Sequence, residues 1–552
     1  MPAATRARTF GQRLADEQWS KYARLPAASN SYATTRDLRI PMRDGIDLLA
    51  DLYEPDVPAL GTVLVASPYG WNVIGAAMTG GVFACRGYRV VLVRCRGTFG
   101  SGGVFEPFRN EVDDAADVVA WLRRQSWFDG HFATYGYSYC GFFEWAMLMD
   151  PPPELAAAVI ACSPYDLKTA VFPGGAFLLS TFFEWSFVTS RQEKPLLPLI
   201  AGNLAAKGRI GKALASLPLT TAAEIVMGTK APWYREWVTR RDLSDAWWSR
   251  SDLSEALERV EIPVLLQTGW QDGFVRPVLD SYERLAERGV QVGLTVGPWT
   301  HAQGGAEGSR TLLPDALDWI DHHLAGRPAR REHPVTVFTT GDGAGWQGLD
   351  AWPPATVEKV LHPGAGGRLS ELPAEPGEIA TFTYDPADPT PTYGGAFVTQ
   401  LSPGFTAGYT DDTRLADRAD VLTFTSEPLQ ARLELAGAPV AELSHSSDNP
   451  SCDLFVRISE VRPDGVSTNV TDGFVRLDAS LPGDLVRVAL DPAFHRFAAG
   501  SRLRLVVSGG AHPRWERNLG TGHDPATTTA LRSSHRRVDL PASRLVLPVV
   551  GS

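Results

Sequence analysis

The stretch TYGYSYCGFF, residues 134–143, sets a serine at 138 between glycines at 136 and 141. An apolar run precedes it and a helix-like run, YCGFFEWAMLM, follows. A serine hydroxyl on a tight strand-to-helix turn is a placed nucleophile, because the free N–H groups of the helix start face a developing oxyanion. Gly136 would let the neighbouring chain pack against the turn, and Gly141 would allow close helix–strand packing. The spacing G-x-S-x-x-G departs by one position from the common G-x-S-x-G. Serine needs a base, and the base needs an orienting acid. Asp272 in LLQTGWQDGF and His301 in LTVGPWTHAQGG each follow a strand-like run. Their chain order, Ser then Asp then His, is the one this architecture uses. Singly, these are a turn serine, a turn aspartate before glycine and one of 11 histidines. Together, at successive strand ends, they are expected to be nucleophile, acid and base. Asp166 in ACSPYD is the alternative acid. One oxyanion donor is expected from the backbone N–H of Tyr139. The other is expected from Tyr69, at the end of VLVASPYG, whose phenol can donate as well as a backbone N–H.

Residues of this kind must be held at the C-terminal ends of sheet strands. The runs GTVLVAS (61–67), YRVVLVRC (88–95), HFATYGYS (131–138) and AAAVIACS (157–163) read as buried strands. Between them, NEVDDAADVVAWLRRQ (110–125) puts Val112, Ala115, Val119 and Leu122 on one helical face. Alternating strands and helices predict a doubly wound α/β sheet. Residues 168–255 break the alternation. PGGAFLLSTFFEWSF (173–187) and DLSDAWWSRSDLSEALERV (242–260) read as helices there. The alternation resumes with IPVLLQTGW (262–270) and VGLTVGPW (292–299). From about residue 327 apolar and polar residues alternate between turn clusters, as in an antiparallel sandwich. HPGAGGRLSELPAEPGE (362–378) reads as an exposed loop. The expected division is a hydrolase-type core over 1–167 and 256–326, a helical cap over 168–255, and a β-sandwich over 327–552.

At 552 residues, more than one core is required. A net charge of -11 argues against nucleic acid or an anionic membrane as partner. No apolar run approaches the roughly 20 residues of a membrane span. The N-terminus has arginines without a following apolar stretch, so no secretory signal is expected. Five cysteines without a CxxC pair make neither a disulfide framework nor a metal site, and a reducing cytoplasm is the default. The chemistry outlined calls for no cofactor. A homo-oligomer is compatible with the sequence.

IPMRDGIDLLADLYEP, SPYG, CRGTFGSGGVFEPF, WFDGHFATYGYSYCGFFEW, GWQDGF and VGPWTH, with DVLTFTSEPL, RPDGVSTNVTDGFVR and VVSGGAHPRWERN near the end, carry a resemblance. From about residue 33 onward the chain resembles the X-Pro dipeptidyl-peptidase/cocaine esterase family of serine hydrolases. The resemblance implies an α/β-hydrolase fold with an inserted helical cap and a C-terminal β jelly roll. It implies the same roles for Ser138, Asp272, His301, Tyr69 and Tyr139, and makes Trp185 and Phe274 substrate-binding residues of the acyl pocket. Two positions depart from the family pattern. Arg94 stands where an acidic residue is usual, and Glu144 where relatives often have glutamine.

The expected reaction is hydrolysis of an ester or amide of a small acyl substrate through an acyl-enzyme on Ser138. Transfer of the acyl group to an amine or alcohol, cleavage of X-Pro peptides, and a binding role on a hydrolase fold are the alternatives. AFLLSTFFEWSF in the cap, with Trp270, Phe274 and Trp299, predicts an apolar cleft. Such a lining favours uncharged or aromatic acyl groups (phenylacetyl, benzoyl, butyryl) over carboxylate-bearing ones.

Overall fold

Strand runs that are apolar throughout can satisfy both of their faces only inside a sheet covered on both sides. In this computed structural model, which describes residues 5–70, 79–398, 401, 406–478 and 481–551, that is where they lie. The strands are β1 (Thr5–Ala7), β2 (Tyr32–Pro41), β3 (Asp47–Pro55), β4 (Thr62–Ser67), β5 (Arg89–Arg94), β6 (Phe132–Tyr137), β7 (Leu155–Ala161), β8 (Val264–Gln271), β9 (Val292–Thr300), β10 (Val335–Gly341) and β11 (Gly345–Leu349). Their order in the sheet is β1–β2–β3–β5–β4–β6–β7–β8–β9–β10–β11. Neighbours from β5 through β10 are parallel, and both edges are antiparallel. Alternate residues serve opposite cores. Leu64, Ala66, Val91 and Val93 face one, while Val63, Val65, Val90 and Leu92 face the other.

The insertion between β7 and β8 is helical. It holds helices at Leu167–Val171, Leu179–Thr189, Leu196–Leu214, Leu219–Met227 and Pro232–Thr239. The helix expected over 242–260 is instead a 3₁₀ segment, Ala246–Ser251, and one α turn, Ala256–Arg259. Aspartates explain the break. Asp242, Asp245 and Asp252 accept the N–H of Ser244 (2.9 Å), Trp247 (2.8 Å) and Ser254 (3.1 Å). Such local bonds compete with the helical ladder.

The C-terminal strands form two packed sheets. One carries Thr356–Gly364, Ile379–Tyr384, Leu433–Gly437, Val440–Ser447, Leu485–Ala489, Ala493–Phe497 and Ser534–Val550. The other carries Arg368–Ser370, Val421–Thr425, Arg502–Ser508, Cys452–Val461 and Ser467–Leu477. Leu435, Leu443, Val456, Ile458, Leu505 and Leu545 fill the space between them. The expected loop at 362–378 contributes to both, with His362 paired to Ser370 across a tight turn and Leu369 buried.

The hydrolase sheet does not end at residue 326. β10 pairs with β9 at its start, and its end pairs with Ala493–Phe497 of the sandwich. The two sheets are thus joined along one strand. The sandwich also grips the end of β8, where Gln271 donates to the Val470 carbonyl at 3.0 Å and accepts from Asn469 at 3.4 Å.

Candidate active site

Ser138 follows β6 and caps the helix Tyr139–Met147 with φ 61° and ψ -123°. A positive φ is strained for a residue with a Cβ, and here the surroundings enforce it. The Ser138 N–H donates to the Ala161 carbonyl at 2.8 Å, while its own carbonyl accepts from Gly141 at 2.9 Å. Both glycines are sterically required. A Cβ on Gly136 would come within 2.3 Å of Glu144 and 2.4 Å of the Cys140 carbonyl carbon; one on Gly141 would come within 2.7 Å of Ser163. As the first helical residue, Tyr139 has an N–H with no acceptor in its own helix, and that N–H stands beside Ser138.

Asp272 and His301 meet where β8 and β9 end. His301 Nδ1 lies 2.9 Å from Asp272 Oδ2, and the carboxylate is fully buried. Asp272 Oδ1 accepts the Phe274 N–H at 2.7 Å, which fixes the carboxylate plane. The His301 main chain is fixed as well. Its N–H donates to the Phe397 carbonyl at 3.3 Å, and its carbonyl accepts from the Tyr137 hydroxyl at 2.5 Å. The Phe274 ring meets the imidazole edge-on at 5.5 Å. Asp166 lies elsewhere: it caps the short helix Leu167–Val171 through the Lys168 N–H at 3.0 Å.

Ser138, His301 and Tyr69 line one cavity of about 420 Å³. Trp185, Val188, Leu312, Leu313 and Val398 give it a mainly apolar wall. The Tyr69 hydroxyl accepts the Trp185 indole N–H at 3.0 Å, and Tyr69 lines the same cavity as Ser138. Burial raises the phenol well above its ordinary pKa, so it stays a donor.

A second, narrower pocket meets Ser138 from the cap side. Phe108, Tyr139, Phe182, Trp185, Phe274 and Val398 surround it, and it measures only about 20 Å³. That is room for about one water-sized group, whereas an apolar cavity known to take benzene measures about 150 Å³. The cap aromatics fill the space themselves. Trp185 stacks parallel to Tyr139 at 6.3 Å and lies 5.8 Å from both Phe108 and Trp237. A further aromatic ring would not fit beside them on this side, whereas the larger cavity is wide enough for one. Trp270 and Trp299 line neither space. Trp270 packs on Trp352 at 5.0 Å and Trp299 on Trp346 at 5.7 Å.

The Cys162 thiol, Asp272 carboxylate and His301 imidazole set three ligand-type atoms within 4.8 Å of one another. Burial raises the thiol well above its ordinary pKa, and Asp272 already occupies His301 Nδ1. A protonated thiol is a poor metal ligand, so the cluster fits a hydrogen-bonded Asp–His pair with a thiol neighbour.

Val398, Phe397 and Cys162 carry no signal in the sequence, because none belongs to a motif around the three polar residues. The two departures do find partners. Arg94 pairs with Asp37 at 2.7 Å and Asp51 at 2.5 Å. Glu144 is buried against Thr134, and burial holds its pKa well above the ordinary value. A protonated Glu144 is a neutral hydrogen-bonding group, as a glutamine would be.

A further buried acid touches the elbow. Glu111 accepts from the Tyr139 hydroxyl, and from the Asn110 N–H at 2.9 Å. Burial lifts its pKa from the ordinary 4.5 to about 7. The folded protein therefore keeps this proton after the unfolded chain has lost it. The contribution is intact below pH 4.5, is lost as pH rises toward 7, and amounts to about 3 kcal/mol over that window. Glu111→Gln should accordingly gain thermal stability relative to wild type as pH rises from 5 to 8. Parallel Tm profiles for the two proteins would contradict this.

A doubly wound sheet, a serine on a strained elbow and a buried Asp–His pair at neighbouring strand ends define a serine hydrolase of the α/β-hydrolase class. Family models agree: residues 44–303 match the X-Pro dipeptidyl-peptidase (S15 family) model, and residues 329–543 match the X-Pro dipeptidyl-peptidase C-terminal non-catalytic domain. Cocaine esterase of Rhodococcus sp. (strain MB1 Bresler) is 30% identical over 576 residues, spanning 94% of this chain and 99% of its own. The chain belongs to the X-Pro dipeptidyl-peptidase/cocaine esterase family of serine hydrolases. Two solved structures share the fold at lower identity. An α-amino acid ester hydrolase superposes with TM-score 0.79 at 23% identity, covering 95% of this chain and 98% of that one. An aminopeptidase from a marine sediment Thaumarchaeota archaeon gives 0.80 at 22% identity, covering 94% and 96%. Among the described residues, no helix is long and apolar enough to cross a membrane.

Proposed function

We propose that this chain is an esterase for small uncharged carboxylic esters, acting through an acyl-enzyme on Ser138. His301 takes the Ser138 proton through Nε2 while Asp272 holds Nδ1–H, and the oxyanion rests on the Tyr69 hydroxyl and the Tyr139 N–H. His301 then passes its proton to the leaving alkoxide. The observation that carries this reading is the 2.9 Å Asp272–His301 bond, made by a histidine that lines the same cavity as Ser138.

The two spaces at Ser138 divide the ester between them. His301 lines the larger cavity and not the narrower pocket. The leaving alcohol must lie on the side of the acid that protonates it, so the alcohol takes the larger cavity and the acyl group the pocket at Trp185 and Phe274. Among the described residues lining either space there is no Asp, Glu, Lys or Arg. An α-ammonium group would lack a counter-ion there, which favours a neutral ester over an X-Pro peptide. The same reading assigns parts to the three segments of the chain: core residues do the chemistry, the cap over 168–255 supplies Phe182 and Trp185, and the jelly roll supplies Val398. Five free, buried cysteines suit a reducing cytoplasm.

A series of p-nitrophenyl esters tests the assignment. Acetyl and propionyl esters should exceed benzoyl and phenylacetyl esters in kcat/KM by about tenfold or more, because overfilling a packed site costs roughly 1–3 kcal/mol. Succinyl esters should be poor, since the unpaired anion would be desolvated. A preference for benzoyl would place the acyl group in the larger cavity. Fluorophosphonate labelling followed by peptide mass spectrometry should find the adduct on Ser138, and an adduct on any other serine removes the reading altogether.

A further inference from the structure

The Trp185–Tyr69 contact is polar as well as apolar. An indole N–H only donates, so at 3.0 Å Trp185 donates and the Tyr69 oxygen accepts. A phenol carries one proton. With Trp185 occupying a lone pair, that proton is directed away from the indole, and the phenol shares its cavity with Ser138. The indole has little freedom to turn away. Tyr139, Phe108 and Trp237 pack against it, and Trp233 meets it edge-on at 6.4 Å. The Tyr69 main chain is held too, its N–H donating to Ser67 Oγ at 3.0 Å.

We propose that Trp185 is a positioning residue for catalysis: its indole N–H, fixed by the aromatic cluster of the cap, aims the Tyr69 hydroxyl proton at the oxyanion formed on the Ser138 adduct. The inference rests on the oxyanion role proposed above for Tyr69, and assigns Trp185 a part beyond lining the acyl pocket. Chemically it has two components. The phenol is pre-oriented, so no reorganisation is needed when charge develops. Accepting a hydrogen bond also polarises the phenol O–H and strengthens its donation. The cap helix Leu179–Thr189 thereby completes the oxyanion site on the sheet.

A double-mutant cycle with p-nitrophenyl acetate, whose methyl group places the least demand on the pocket, separates the two roles of Trp185. Tyr69→Phe alone should lower kcat by about 10²–10³ with little change in KM, the typical effect of losing one oxyanion donor. Trp185→Phe keeps an aromatic ring without the N–H, and should lower kcat about tenfold with KM within about twofold. In the Tyr69→Phe background the same substitution should change kcat by less than about twofold, because no phenol proton is left to aim. If Trp185→Phe does not fold, Trp185→His and Trp185→Leu, with and without a ring N–H, carry the same cycle. Equal losses in both backgrounds would make Trp185 a pocket wall only and overturn the proposal, with the oxyanion role of Tyr69 intact. A Tyr69→Phe variant with wild-type kcat would instead remove the oxyanion role itself.

Discussion

Ser138→Ala is expected to lower kcat for a small ester by on the order of 10⁴–10⁶ while leaving the Tm nearly unchanged. The chemical part follows from the nucleophile role proposed for the hydroxyl. The stability part follows from the backbone. The strained φ of 61° suits alanine as well or as poorly as serine, since both carry a Cβ. The bonds that hold the elbow run through main-chain atoms and the two glycines, and the substitution touches none of them. What is lost is one oxygen at a residue lining a cavity. Steady-state kinetics and a thermal melt on the same preparation check both halves. Turnover within about a hundredfold of wild type, well short of the usual loss, would move the nucleophile elsewhere.

Asp272→Asn should cost about 10⁴ in kcat, and at least about 10³ more than Asp166→Asn. The local hydrogen bonds dictate how the amide would sit. Oδ1 of Asp272 accepts the Phe274 N–H at 2.7 Å, so an asparagine must keep its carbonyl oxygen there. Its NH₂ then faces His301 Nδ1, 2.9 Å from the other oxygen position. Two donors cannot share that contact, and the imidazole is driven to carry its proton on Nε2, where it could not take the Ser138 proton as proposed. Asp166 accepts the Lys168 N–H and pairs with Lys168 at 3.9 Å; asparagine keeps the cap through its amide oxygen, so the change removes one weak ion pair and touches neither Asp272 nor His301. Comparable kinetic losses in the two variants would return the acid to Asp166.

The glycine-flanked serine turn and the Asp272–His301 pair are legible in the chain because each is signalled locally. A buried strand, a tight turn and a helix start need particular residues at neighbouring positions, and Gly136, Ser138 and Gly141 lie within six residues of one another. The strands are legible for a related reason. Burial on both faces demands unbroken apolar runs, and those runs read the same in the chain as in the sheet. The 242–260 segment reads as one helix because its apolar spacing is real, yet the Asx bonds of three aspartates outweigh that spacing in the fold.

By itself, then, the sequence determined the fold class, the order of the chemical groups and the reaction type, since short-range pattern and side-chain chemistry carry all three. Tertiary structure alone decided the shape of the site. Trp185 reaches Tyr69 across 116 residues, and Val398 arrives from the far end of the chain to touch both spaces at Ser138. An apolar cleft is present as the cavity walled by Trp185, Val188, Leu312 and Val398, while the packing of Phe108, Tyr139 and Trp185 leaves only a small second space beside Ser138. Pocket volume is a small difference between large packed volumes. It depends on rotamers and on contacts between distant segments, and no local pattern of residues encodes it.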